Sequence, residues 1–282
     1  MRTPKAAVLV AALALAGLPA TAHAARLNLA LSGKSSAHNL DLFTITPDGT
    51  GRTKLTSGPA QDLLPAFSPA RDLIVFTRVP ASGPRRLFTV KPTGGAAHPI
   101  ANTLKGSAPS WSPDATRIAF STSDGGIYTI APNGAGRAQL SHGPTDATPD
   151  WSPDSTQLVF ARQGQIWRMN VDGTHLKKLN SDGIDPAWQP NGKHIAFVRK
   201  VARAGGKSYA VFAMNADGTH VKQVTLRGDG PKEDDRRPAW EPNSRHIAYA
   251  ASAAGQSKIE TILFGDPKAP SVFVTAGQTP GW

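Results

Sequence analysis

Two Asp–Arg couples recur at one spacing in this chain. Asp62 lies three residues before Pro65 and Arg78 thirteen after it, and Asp146 and Arg162 stand at the same intervals from Pro149. A carboxylate and a guanidinium held at a fixed offset can form a bidentate, charge-assisted pair. Such a couple locks a loop within one hairpin, or it offers charge to a ligand. Two further positions break the pattern: Gly183 stands where the acid before Arg199 would be, and Asp235 meets Ala251 in place of a base. Asp235 is therefore the candidate unpaired carboxylate.

More cations fall in three long insertions, Val79–Arg86, Arg199–Lys207 and Arg227–Arg237. Arg85, Arg86, Arg199, Arg203, Arg236 and Arg237 are the residues with reach, partly offset by Asp229, Glu233, Asp234 and Asp235. A cationic rim of this kind suits an acidic protein surface or an anionic polymer, with arginine favoured for planar carboxylate recognition. Catalytic chemistry finds little support. There is no Gly-x-Ser-x-Gly elbow, and Gly205-Gly-Lys-Ser208 lacks the first glycine of a phosphate loop because position 201 is Val. His175, His194, His220 and His246 recur with the repeats described below, so they are expected to fan apart and not to converge on a metal. The Asp-Gly pairs lack the Asp-x-Asp-x-Asp-Gly spacing of a calcium loop. No catalytic residue, metal ligand or cofactor is expected.

These residues hang on a repeat. Pro65-Ala-Phe-Ser-Pro, Pro109-Ser-Trp-Ser-Pro, Pro149-Asp-Trp-Ser-Pro, Pro186-Ala-Trp-Gln-Pro and Pro238-Ala-Trp-Glu-Pro start alike, and Pro280-Gly-Trp282 begins a sixth. The aromatic anchors Phe67, Trp111, Trp151, Trp188, Trp240 and Trp282 follow one another at intervals of 37 to 52 residues. Behind each of the first five comes an apolar run such as Ile118-Ala-Phe120, then a second strand, a turn and a short third strand. A unit of this length with four short strands is the size of a propeller blade, which must stack on neighbours to bury its faces. Residues 27–56 match the later strands of a blade but lack the Pro-x-Trp strand, and the chain's last residues supply it. The expected fold is all-β: a six-bladed propeller of four-stranded antiparallel blades, closed by the C-terminal strand joining the N-terminal blade. Asp48-Gly49, Asn133-Gly134, Asp172-Gly173 and Asp217-Gly218 serve as its hairpin turns. If the Pro-x-Trp strand runs from top to bottom, every long insertion falls on the top.

Residues 1–24 have the form of a secretory signal peptide: Arg2 and Lys5, an apolar run from Ala6 to Leu18, then Pro19 and small residues up to Ala24. The run is too short to span a bilayer. The mature protein, 25–282, is expected to be one domain, monomeric, and periplasmic or secreted. The chain has no Cys, which excludes disulfides, thiolate metal sites and a cysteine nucleophile. Its formal charge is +11, yet an exported protein meets no chromosome, so nucleic acid is not the expected partner.

The succession Pro-x-Trp-Ser-Pro-Asp, Ile-Ala-Phe, Ile-Tyr or Ile-Trp, then Asp-Gly-Thr resembles the repeat of TolB-like six-bladed propellers, over residues 27–282. TolB proteins carry a further N-terminal α/β domain that engages inner-membrane Tol proteins, and their propeller binds a peptidoglycan-associated lipoprotein. In this sequence the first blade starts close to the expected cleavage site. The resemblance implies an exported, non-enzymatic propeller that binds a cell-envelope protein through its top face and channel mouth. An anionic envelope polymer is the alternative ligand. Manganese-dependent oligogalacturonate lyases, propellers with similar repeats, supply the enzyme alternative.

Overall fold

The computed structural model describes residues 28–36, 39–203, 206–225, 233–253, 256–266 and 271–282, with backbone alone at 36, 203, 206, 207, 233, 234 and 253. The expected leader lies outside these residues. Among them every regular element is a strand. Blade 1 holds β1 (Leu29–Ser36), β2 (Asn39–Ile45) and β3 (Thr53–Lys54), and blade 2 holds β4 (Gln61–Phe67), β5 (Ile74–Val79), β6 (Arg86–Val90) and β7 (His98–Pro99). Blade 3 is β8 (Gly106–Trp111), β9 (Ile118–Thr122), β10 (Ile127–Ile130) and β11 (Ala138–Gln139), and blade 4 is β12 (Ala147–Trp151), β13 (Gln157–Arg162), β14 (Gln165–Asn170) and β15 (Lys177–Asn180). Blade 5 is β16 (Ile184–Trp188), β17 (His194–Arg203), β18 (Gly206–Asn215) and β19 (Lys222–Gln223). Blade 6 is β20 (Glu233–Trp240), β21 (His246–Ala253), β22 (Gln256–Leu263) and β23 (Val272–Ala276). The last strand, β24 (Gln278–Gly281), joins blade 1 beside β1.

The sheets are apolar on both faces because each is covered on both sides. All five residues of β9 are buried, a pattern that belongs to strands sandwiched between neighbours. Six apolar clusters fill the six gaps between adjacent blades. Each aromatic anchor sits in the gap before its own blade: Trp188 of blade 5, for example, packs with Val159 and Ile166 of blade 4. Full burial of such a ring contributes about 2–3 kcal/mol. The indole N–H adds a tie where it reaches back. Trp151 donates to the Ser110 carbonyl at 3.2 Å and Trp240 to the Ala187 carbonyl at 3.0 Å, each in the preceding blade.

The ring closes as the repeat requires. In β24, Gly281 pairs with Ala30 and Gln278 with Ser32, and the Ser32 and Thr279 hydroxyls meet at 2.9 Å. Trp282 is half-buried against the cluster of Leu29, Leu31 and Phe43. Gly281 stands where the other inner strands carry Ala, Ser or Asp. A Cβ there would lie 2.1 Å from the Pro65 carbonyl oxygen, so only glycine lets the closing strand approach blade 2 this closely. Closure also removes a sheet edge from the inner wall.

Candidate functional site

Strand order sorts the connections onto two faces. The turns after each inner strand lie at the bottom with the Asp-Gly turns, and the hairpins between the second and third strands of each blade lie at the top. At the bottom, polar groups close on one another. Ser112 Oγ donates to Asp114 at 2.6 Å and the Thr116 amide to the same oxygen at 3.0 Å; Ser152, Asp154 and Thr156 repeat this at 2.6 and 3.1 Å. These hydrogen bonds, led by the serine hydroxyl, hold the Asp114 and Asp154 carboxyls below their ordinary value. Asp48 is held at about 2 by the Thr46 hydroxyl first and then by the amide and hydroxyl of Thr50. The histidines are equally local. His194 Nδ1 meets Gln189 at 2.7 Å and His246 Nδ1 meets Glu241 at 2.6 Å, each within its own turn. Among the described residues no three His, Asp or Glu side chains gather as a metal cluster would.

At the top, the structure pairs the recurring couples. Arg78 donates to both oxygens of buried Asp62 at 2.7 and 2.8 Å, and Arg162 to both of Asp146 at 2.6 and 2.7 Å. Each guanidinium also stacks on its own blade's aromatics: Arg78 over Phe88 at 4.6 Å, Arg162 over Phe160 at 5.3 Å. The hydrogen bonds to the partner acids raise both arginines. Asp146 further accepts from the Ser141 hydroxyl and the Gly143 amide, so it pins the incoming chain from blade 3. Without an acid at Gly183, Arg199 keeps the aromatic stack, 4.9 Å over Phe212, and turns to Asn180 at 2.9 Å and Asp182 at 3.6 Å.

Three expectations need correction. Asp235 does lie opposite Ala251 and is fully buried, but it is not free: it is engaged by a contact of its own. Arg236 and Arg237 are not on a loop. The strand β20 continues through them, with Arg236 stacked 3.7 Å over Tyr209 and Arg237 turned into the channel. The inner strand must bulge at its proline, and that bulge re-aims position 237 inward. Arg85 and Arg86 remain exposed on the hairpin they were assigned to. The Arg203 side chain and residues 226–232 lie outside the described part.

The channel has a waist. Every inner strand shifts register at its Pro, and the preceding residue has positive φ in all six blades: Leu64, Ala108, Thr148, Asp185, Arg237 and Thr279, at 46 to 57°. Side-chain-bearing residues rarely adopt this conformation, and it persists only where packing on both sides enforces it. Leu64, Ala108, Thr148 and Arg237 border both a space of about 270 Å³ above, open at the top beside Arg85 and Asp146, and one of about 260 Å³ below. Arg237 Nη1 meets Asp185 Oδ1 at 3.3 Å across the gap between blades 5 and 6. Below the waist, half-buried Asp150 accepts from Ser110 Oγ and from the Trp188 amide, both at 2.7 Å, and so links blades 3, 4 and 5. Burial pushes its carboxyl up to about 6 against the pull of those hydrogen bonds. Asp150 and Asp185 were not among the expected site residues. Asp150 fills the middle position of Pro-x-Trp, elsewhere Ala66, Ser110, Ala187, Ala239 or Gly281, and a carboxylate among small residues was the available signal.

Among curated proteins none matches the sequence. Solved structures share the fold. TolB from Acinetobacter baumannii superposes with a TM-score of 0.75 at 19% identity, over 90% of this chain and 66% of that one. A TolB of Agrobacterium tumefaciens gives 0.62 at 20% identity, over 77% and 87%. An oligogalacturonate lyase of Vibrio parahaemolyticus gives 0.54 at 13% identity, over 87% and 72%. The chain thus spans just under two thirds of the length of the Acinetobacter protein. The family model for the TolB beta propeller domain matches residues 100–282. With that match over more than half of its length and the full ring of blades around it, the chain belongs to the TolB beta propeller domain family.

Proposed function

We propose that this chain is an exported, non-enzymatic propeller that binds a protein partner of the cell envelope through its top face and channel mouth. The observation that carries this is the inequality of the two faces. Bottom turns satisfy their own polar groups, whereas the top presents exposed Arg85 and Arg86 beside an opening that holds both Asp146 and Arg237. Binding residues concentrate on loops that a rigid scaffold displays, and mixed charge around a mouth discriminates between protein partners. Membership of the TolB propeller family supports a protein ligand, and the signal-peptide pattern of residues 1–24 supports export.

The test is retention of an envelope protein by the immobilised mature chain. Reversal of Arg85 and Arg86 to Glu is expected to abolish retention, and retention unchanged by the reversal would remove the top face from the proposal. The formal charge of +11, still +9 once Arg2 and Lys5 leave with the leader, favours the second reading, an anionic envelope polymer. A polymer that neutralises several arginines loses affinity steeply with salt, whereas a protein site with an apolar centre loses less. Chelator-sensitive turnover of uronate oligomers would replace both readings with the lyase.

A further inference from the structure

Exposed sheet edges invite pairing, and five of the six blades blunt theirs. Their outermost strands, β3, β7, β11, β15 and β19, are two to four residues long, and Lys54, Pro99, Lys177 and Lys222 interrupt four of them. Short length, lysine and proline are the usual protections of an edge. Blade 6 lacks all three. Its outer strand β23 runs five residues, Val-Phe-Val-Thr-Ala, without charge or proline. It pairs inward with β22, and among the described residues no strand pairs its other edge. Val272 and Phe273 are 56% and 59% exposed on it.

Beside this edge, at the seam with blade 1, opens a groove of about 560 Å³. Leu40, Phe273 and Ala276 give it apolar walls, and exposed Lys34 and Arg52 flank it. Arg52 is held over the Phe43 ring at 4.1 Å, which fixes its charge at the groove. Lys258 at the same groove already meets Glu260 at 2.8 Å, so Lys34 and Arg52 set the local sign.

We propose that the edge of β23 is a docking strand that takes an extended acidic segment of a partner protein as an added outer strand of blade 6. The main-chain groups of β23 that are not turned to β22, chiefly around exposed Val272 and Phe273, offer the hydrogen bonds of strand addition, and alternate side chains of the guest enter the neighbouring groove. Lys34 and Arg52 select carboxylates on the guest. A second copy of this chain is the poorer occupant, because it would bring the same cations face to face. The groove opens at the top end of the blade 6–blade 1 seam, where Lys34, Leu40 and Gln256 flank top hairpins, and it shares no lining residue with the channel mouth beside Arg85 and Asp146, so it goes beyond the function proposed above.

The experiment titrates the full chain with three labelled synthetic peptides: one alternating Val and Glu, one alternating Val and Lys, and the Val-Glu peptide with alternate amides N-methylated. Saturable binding of the first is expected, weakened by about tenfold or more for the other two. Phe273→Lys, which copies the protection of the other blades at an exposed position, is expected to abolish it; Lys34→Glu with Arg52→Glu is expected to do the same without touching the strand. Arg85→Glu with Arg86→Glu is expected to leave it unchanged, which separates this surface from the Arg85–Arg86 hairpin and the channel mouth. Failure of the Val-Glu peptide to bind, equal binding of the Val-Lys peptide, or indifference to the Lys34 and Arg52 reversals would overturn the proposal. Self-association in sedimentation that Phe273→Lys removes would assign the edge to a second copy and overturn it as well. Should Phe273→Lys unfold, the Lys34 and Arg52 reversals decide alone.

Discussion

On the bottom face Ser112, Asp114 and Thr116 close on one another, and Ser152, Asp154 and Thr156 do the same in the next blade. On the top face equivalent arginines diverge: Arg78 and Arg162 grip buried acids, Arg199 reaches Asn180 and Asp182, and Arg85 and Arg86 stand exposed. The same repeats build both faces. Bottom turns must reverse a strand within a few residues, so geometry dictates their side chains. Top hairpins vary in length instead: Gln163-Gly164 reverses blade 4 in two residues, both at positive φ, whereas residues 80–85 form a longer loop in blade 2. A face whose turns repeat from blade to blade holds the disc together, and a face whose hairpins vary can discriminate among partners.

The largest change would strike the frame that both faces share. Trp188→Ala is expected to lower stability by about 3–5 kcal/mol, because a large ring leaves a cavity between blades 4 and 5; a urea midpoint shift worth less than about 1 kcal/mol would break the stacking account. Next comes the top-face pair. Arg162→Ala strands a buried carboxylate at Asp146 and is expected to cost about 3 kcal/mol, measured by the same unfolding curves, and a negligible loss would show that this pair does not hold the hairpin.

Asp150 gives the two sides of the waist a pH signature. Its folded-state value of about 6 lies above the ordinary 3.8, so the native state retains a proton that the unfolded chain has released. Its contribution is complete below about pH 4 and is lost as pH rises through 6, about 3 kcal/mol in all. Comparison of unfolding free energies at pH 4 and pH 7 is expected to show that fall in the wild type and a flatter profile in Asp150→Asn. Equal slopes would mean that water reaches the carboxyl.

The smaller effects sharpen the contrast between faces. Asp154→Ala removes a bottom turn's acceptor and is expected to cost about 1 kcal/mol, as loss of a comparable side-chain cap does, with partner binding untouched. Arg85→Glu with Arg86→Glu is expected to stay within about 0.5 kcal/mol of wild-type stability while partner retention disappears. If the two outcomes exchange places, the assignment of work to the faces is inverted.

Much of the ring is legible along the chain. The Pro-x-Trp repeats, the anchors from Phe67 to Trp240 and the missing strand of blade 1 specify six sheets and the return of Trp282, because a blade's period and the apolar demand of its two faces are written in residue order. The Asp62–Arg78 and Asp146–Arg162 couples are legible for the same reason: hairpin register converts a fixed spacing into a contact. Position 237 is not, since nothing along the chain marks the bulge at the following proline that turns Arg237 from the rim into the channel.

What the sequence by itself determined is, apart from the bulge at each inner-strand proline, what is decided within one blade: strand periodicity, turn chemistry, and pairing across a hairpin. Only the tertiary structure decided what lies between blades. Asp185 meets Arg237, and Asp150 joins Ser110 to Trp188, across gaps that no spacing encodes, and among the described residues no strand pairs the outer edge of β23 at the seam with blade 1. Such contacts depend on how the sheets stack around the axis, which packing of all six settles together.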